Sequence, residues 1–170
     1  MNQLPKYVYY LLIAQAFNLI AAVLSVTVSA IVGLKLAPTQ ALATVPYGLQ
    51  FLAMLLTTFI FSFLMKRWGR HVVFQFGVLC LFAAGFLGYQ ALLKQDFWLL
   101  CLTHFSLGLF LSTASFYRFA ASDRLSSELI PKATALVISG GVVAAVIAPV
   151  LAIQFQKVKG LPDFTAIYLI

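Results

Sequence analysis

Residues 7–34 read YVYYLLIAQAFNLIAAVLSVTVSAIVGL, an apolar run without a charged side chain. A helix of about 20 such residues crosses the roughly 30 Å of hydrocarbon in a bilayer, because its backbone groups hydrogen-bond to one another. The run is also longer than the apolar core of a signal peptide, which has about 7–15 residues. It therefore predicts a retained membrane-spanning helix.

The same pattern repeats along the chain. Further apolar runs lie near residues 41–65, 72–93, 97–120 and 132–154, and another starts at about residue 164. The last one, residues 164–170, is too short to cross a bilayer at about 1.5 Å of rise per residue. We expect an all-α, polytopic transmembrane helical bundle with five spans and the start of a sixth. The chain is then either a fragment of a longer protein, the interpretation we favour, or one whose last helix is a stub.

Composition supports a lipid environment. Hydrophobic residues make up 63% of the chain, charged residues make up 9%, and the mean hydropathy is +1.02. A soluble domain of 170 residues has no core large enough to hide so much apolar surface. The net charge of +7 does not indicate nucleic-acid binding, because the cations stand at the ends of the apolar runs instead of forming one patch.

These cations predict the orientation of the chain, since loops on the cytoplasmic side carry more lysine and arginine. Alternate loops divide the eleven basic residues seven against four. The seven are Lys6, Lys66, Arg67, Arg70, Arg118, Arg124 and Lys132, and the four are Lys35, Lys94, Lys157 and Lys159. We therefore expect a cytoplasmic amino terminus.

The sequence has no constellation typical of a soluble enzyme. His71 and His104 are too far apart for a helical metal pair, and Cys80 and Cys101 lack ligand spacing. The four acidic residues fall at or beyond the predicted membrane edges; they are Asp96, Asp123, Glu128 and Asp163. We expect no enzymatic activity, no metal and no cofactor.

A polar stripe runs along the first predicted helix. At 100° per residue, one narrow arc collects Gln15, Asn18, Ala22, Ser25 and Ser29. Small and hydrogen-bonding residues commonly join membrane helices, so the stripe is explained by helix packing or by a wall of a polar cavity. Either explanation turns it away from lipid.

The fourth predicted span has a comparable arc. It comprises His104, Gly108, Leu111, Ser112, Ser115 and Arg118. Ionisable side chains inside a span usually point into the bundle or a water-filled path. For His104 the alternatives are a proton relay and a hydrogen-bonded packing residue. For Arg118, near the end of the span, they are a functional cation and an anchor that extends its guanidinium to the interface.

The fifth span is rich in small residues. Its sequence SGGVVAAVIAPVLA places small residues four apart, which lets two helix backbones approach closely. From this span we predict close packing at Gly141, Ala145, Ala148 and Pro149. The proline also removes one hydrogen bond of the helix and is a potential bend.

The turn between the second and third spans resembles a family signature. SFLMKRWGRH, residues 62–71, is similar to the G-x-L-A-D-R-x-G-R-K motif of the major facilitator superfamily. Leu64, Arg67, Gly69 and Arg70 match it, while Ser62 replaces the first glycine and Lys66 the acidic residue. FYRFAASD, residues 116–123, and the fifth span also resemble a bacterial branch of the superfamily, where Ala144, Ala148, Pro149 and Ala152 echo a G-x-x-x-G-P-x-x-G pattern.

The resemblance implies the amino-terminal half of a secondary active transporter that works by alternating access. Such transporters have two six-helix halves, and their first and fourth helices line a cavity near the midplane. The implied partners are a small-molecule substrate, possible coupling protons, the lipid bilayer and a carboxy-terminal six-helix half. The implied location is the cell membrane, which is the inner membrane in a Gram-negative bacterium. Neither the substrate nor the direction of transport follows from the sequence.

The resemblance also assigns roles to particular residues. The predicted substrate-cavity residues are Gln15, Asn18, Ser25, His104, Ser112 and Ser115. The predicted cytoplasmic gate comprises Arg67, Gly69, Arg70, Arg118 and Asp123. The alternative from another class is a non-transporting membrane scaffold, or a half-transporter that depends on a partner, in which the same small-residue faces only bind neighbouring helices.

Overall fold

The computed structural model describes residues 4–123 and 125–170. Arg124, one of the basic residues used to predict the orientation, lies outside them. Within the described residues every regular element is a helix. The α-helices are α1 (Lys6–Leu36), α2 (Val45–Trp68), α3 (Arg70–Lys94), α4 (Phe97–Ala114), α5 (Tyr117–Ala120), α6 (Ile130–Ile138) and α7 (Gly140–Gln154), and Gln40–Leu42 and Thr165–Leu169 form short 3₁₀ helices.

These elements make up five helical segments long and apolar enough to cross a membrane, as the sequence predicts. Two of the segments contain a break, between α4 and α5 and between α6 and α7. The second break falls at Ser139, whereas α7 continues through Pro149. The potential bend at the proline is therefore not where the helix is interrupted.

The last apolar run differs from the expected start of a sixth α-helix. Residues Thr165–Leu169 form a 3₁₀ helix that packs against α3. A 3₁₀ turn is common where a helix begins or ends. Its residues Thr165, Ala166 and Ile167 are buried, so this segment belongs to the bundle core.

The helix ends use local chemistry that the sequence supplies. The carboxylate of Asp96 accepts hydrogen bonds from the backbone N–H groups of Trp98 (2.9 Å) and Leu99 (3.1 Å), so it caps α4. Gly69 separates α2 from α3 with φ of +85°, a conformation that residues with a side chain rarely adopt. The sharp turn therefore lets α3 run back alongside α2.

Helix α4 is the centre of the bundle. It packs against α2 and α3, while α7 packs along α1. Glycines allow the close approaches: a side chain at Gly108 would collide with the α2 backbone at Gln50, and one at Gly77 would collide with Thr113. The large apolar side chains that remain exposed face outward around the bundle, where a bilayer would cover them.

Candidate functional site

A chain of hydrogen bonds crosses the buried centre of the bundle. Nε2 of Gln50 donates to Oγ of Ser25 (3.1 Å), and Oε1 of Gln50 lies 3.0 Å from Nδ1 of His104. The other ring nitrogen of His104, Nε2, lies 3.3 Å from the hydroxyl of Tyr168. The chain thus joins α1, α2, α4 and the 3₁₀ segment after α7.

The partners fix the direction of every bond in this chain when the imidazole of His104 carries one proton. Because Ser25 donates its only hydroxyl proton to the carbonyl of Ala22 (2.8 Å), it must accept from the Gln50 amide. Oε1 of Gln50 is then the acceptor for Nδ1–H of His104. The Nε2 atom of this neutral imidazole consequently accepts from the Tyr168 hydroxyl. His104 is fully buried, and both its nitrogens have partners.

A second, shorter contact joins α2 and α4. The hydroxyl of Thr58 donates to the carbonyl of Met54, and Oγ of Ser112 lies 3.0 Å from Oγ of Thr58. Ser112 is therefore the donor in that pair. One turn later, Ser115 is half-buried and donates to the carbonyl of Ser112 (2.7 Å).

The polar stripe of α1 faces the protein interior, as its pattern predicts. Asn18, Ser25 and Ser29 are buried, and Gln15 is half-buried. Nδ2 of Asn18 lies 3.5 Å from Oε1 of Gln15, a long hydrogen bond. Oδ1 of Asn18 is buried and has no hydrogen-bond partner among the described residues. A buried acceptor without a partner is costly, which marks Asn18 as a position able to receive a donor.

The six predicted substrate-cavity residues therefore lie in or near the bundle core. Two cavities at opposite ends of the described bundle are not lined by any of the six. One, of about 130 Å³, lies beside Lys35 and Asp163; the other, of about 440 Å³, lies beside Lys66 and Arg70. The role of the six residues in binding a substrate stays a prediction.

Among the predicted gate residues, Arg70 and Asp123 form an ion pair. Nη1 of Arg70 lies 2.7 Å from Oδ2 of Asp123, and the side chains are 37% and 49% exposed. The angles between these two groups do not meet the criteria for a hydrogen bond, so the contact is electrostatic. The hydroxyl of Tyr7 also donates to the backbone carbonyl of Asp123, which ties the start of α1 to the same loop.

Among the described residues, the other predicted gate residues form no ion pair with Arg70 or Asp123. Arg67 and Arg118 are exposed, and the guanidinium carbon of Arg118 lies 4.8 Å from the ring centre of Phe119. Gly69 supplies the turn from which Arg70 begins α3. At the other end of the bundle, Lys35 pairs with Asp163 at 3.1 Å and lies over the ring of Phe164.

The small residues of the fifth span that pack on α1 are mostly the sequence neighbours of the residues predicted to do so. The buried row comprises Gly140, Ala144, Ala148 and Ala152. A side chain at Gly140 would press on the α1 backbone near Ala16. Of the predicted residues, Ala148 is fully buried and Gly141 half-buried, but Ala145 and Pro149 are exposed. The row that packs on α1 therefore begins at Gly140, and packing at Ala145 and Pro149 stays a prediction.

Sequence reasoning missed Gln50, Thr58 and Tyr168, the partners of the predicted polar residues. Gln50 and Thr58 are eight residues apart on α2, which places them on similar sides of the helix. That spacing was an available signal for a polar face. Tyr168 gave no comparable signal, because its contact depends on how the last segment folds against α3.

Five membrane-length helical segments around a buried polar core define a multi-pass helical membrane protein. The chain is similar to a transporter: it is 33% identical over 143 residues to the riboflavin transporter RfnT of Brucella anthropi. The match covers 84% of this chain and 36% of that protein, so the chain spans about a third of the length of its relative. No protein-family model matches the chain, and no solved structure matches it.

Proposed function

We propose that the chain is the amino-terminal half of a secondary active transporter of the major facilitator type, which moves a small solute by alternating access. The similarity to a riboflavin transporter carries this proposal, because it extends over 84% of the chain. Five helical segments of membrane-spanning length are consistent with it. The signature-like turn at residues 62–71, with Gly69 at φ +85°, supports the family assignment.

In this proposal the half-bundle rocks as a unit against a second half, with the substrate bound between them. The hydrogen-bonded chain from Ser25 to Tyr168 suits such a movement, since it ties four separate segments together. A solute or proton gradient supplies the driving force.

Riboflavin is the first substrate to test, since the similar protein is named for it. Its polar ring system offers several hydrogen-bond donors and acceptors. We assign contacts with the substrate to Gln15 and Asn18, because Oδ1 of Asn18 is free to accept a hydrogen bond. Ser115 is assigned to the same cavity from α4, with Ser25, His104 and Ser112 behind these residues as its hydrogen-bonded support.

The gate is assigned to the end of the bundle at which α2 turns into α3. There the Arg70–Asp123 ion pair would stabilise one of the two orientations, with Arg67 and Arg118 adding positive charge. This end is cytoplasmic in the predicted topology.

Uptake of labelled riboflavin tests the proposal in bacteria that lack their own uptake system and express the complete protein. Gln15→Ala and Asn18→Ala should each lower uptake, and Thr27→Ala is the matched control because Thr27 is an exposed polar residue of the same helix. Unchanged uptake in both variants would discard the cavity assignment. No uptake of riboflavin or related heteroaromatic solutes by a well-expressed protein would favour a membrane scaffold.

A further inference from the structure

A groove of about 440 Å³ opens at the end of the bundle where α2 meets α3 and α5. It is lined by Ser62, Met65, Lys66, Arg70, Phe116 and Phe119. Its lining is therefore partly basic and partly apolar. No role in the proposed transport cycle accounts for this combination.

The groove has an excess of positive charge. Lys66 is exposed, and Arg70 pairs with Asp123 through Nη1. Arg118 does not line the groove, but its guanidinium carbon lies 4.8 Å from the ring centre of Phe119, which does. Two cations thus line the groove and a third lies beside it, while one carboxylate pairs with Arg70, which leaves the site attractive to an anion.

Exposed apolar side chains of α2 lie next to the apolar residues of the groove. Met65 is buried, while the rings of Phe116 and Phe119 pack together with centroids 6.2 Å apart. Further along α2, Phe63 and Phe59 are exposed. Trp68 is also exposed at the end of this span, a position typical of the membrane–water interface.

We propose that this groove binds an anionic phospholipid. Its phosphate lies against Lys66 and Arg70, and its acyl chains follow Phe63 and Phe59 along α2. Basic pockets between helices at the end of a span are suited to anionic headgroups, and a free phosphate would leave the aromatic side uncovered. The inference rests on the proposed membrane placement but not on transport.

Native mass spectrometry of the complete protein in detergent tests this inference, with phosphatidylglycerol or phosphatidylcholine added in equal amounts. Phosphatidylglycerol should be retained in preference. Lys66→Gln should lower its binding about fivefold, which corresponds to the loss of one cation near an anionic lipid. Lys94→Gln is the matched control, because Lys94 is an exposed lysine at the opposite end of α3 and should have no effect.

Three results would overturn the inference. They are equal retention of the two lipids, an equal loss in Lys66→Gln and Lys94→Gln, and displacement of the lipid by inorganic phosphate at millimolar concentration. A second variant, Arg118→Gln, repeats the test at another exposed residue if Lys66→Gln lowers the melting temperature. Because no step measures transport, a failure here leaves the proposed function standing, and a failed uptake assay leaves this result standing.

Discussion

The hydroxyl of Tyr168 donates to Nε2 of His104 across 3.3 Å, although 64 positions of sequence separate the two residues. Glycines on α3 make this contact possible. A side chain at Gly88 would collide with the Tyr168 ring, and one at Gly85 would lie 2.7 Å from the Tyr168 carbonyl. The packing of α3 thereby directs Tyr168 to the polar centre of the bundle.

We expect Gly88→Ala to destabilise the protein by about 1–3 kcal/mol, because the added methyl group would occupy space that the Tyr168 ring already fills. Thermal unfolding in detergent measures the change. Gly48→Ala is the control: no atom lies within 4 Å of the added methyl, so it should be neutral or slightly stabilising. Equal melting temperatures for the two variants would contradict the packing described.

Gln50→Leu should lower stability by about 1–3 kcal/mol, since Nδ1–H of His104 would lose its buried acceptor. Gln154→Leu removes an exposed amide from α7 and should change little. A double-mutant cycle with His104→Leu isolates the coupling between the two side chains. For hydrogen bonds between membrane helices we expect it to be about 0.6–2 kcal/mol, and additive effects would show that the contact contributes nothing.

Asp123→Asn should change stability by no more than about 1 kcal/mol, because both partners of the Arg70–Asp123 pair are substantially exposed. If the pair acts as a gate, the same variant should alter the proportion of inward-open and outward-open molecules. Accessibility of cysteines introduced at the two ends of the complete protein measures that proportion. Glu128→Gln, at another exposed carboxylate, serves as the control. No difference between the two variants would remove the gating role.

The topology predicts that Lys66 and Lys94 lie on opposite sides of the membrane, because α3 runs between them. In a background with Cys80 and Cys101 replaced by alanine, Lys66→Cys should react with an impermeant maleimide only in inside-out vesicles. Lys94→Cys should react only in right-side-out vesicles. Labelling of both positions in the same vesicles would contradict the membrane placement of α3.

The sequence was sufficient for the membrane helices, because a run such as residues 7–34 needs only its own backbone hydrogen bonds and an apolar surface. It also identified Ser25, His104 and Ser112 as polar groups that turn inward. Their partners could not be derived, since Gln50, Thr58 and Tyr168 meet them only after the helices acquire their relative rotations. The same rotation explains why Gly140 packs on α1 while Ala145 and Pro149 are exposed.

Counterflow in liposomes tests the central claim most directly. The purified complete protein is reconstituted into vesicles loaded with unlabelled riboflavin, and entry of labelled riboflavin or of a related heteroaromatic solute is followed. The account predicts a transient accumulation of label that depends on the internal substrate and is reduced in Asn18→Ala but not in Thr27→Ala. Entry no faster than into protein-free vesicles, for every solute tried, would contradict it.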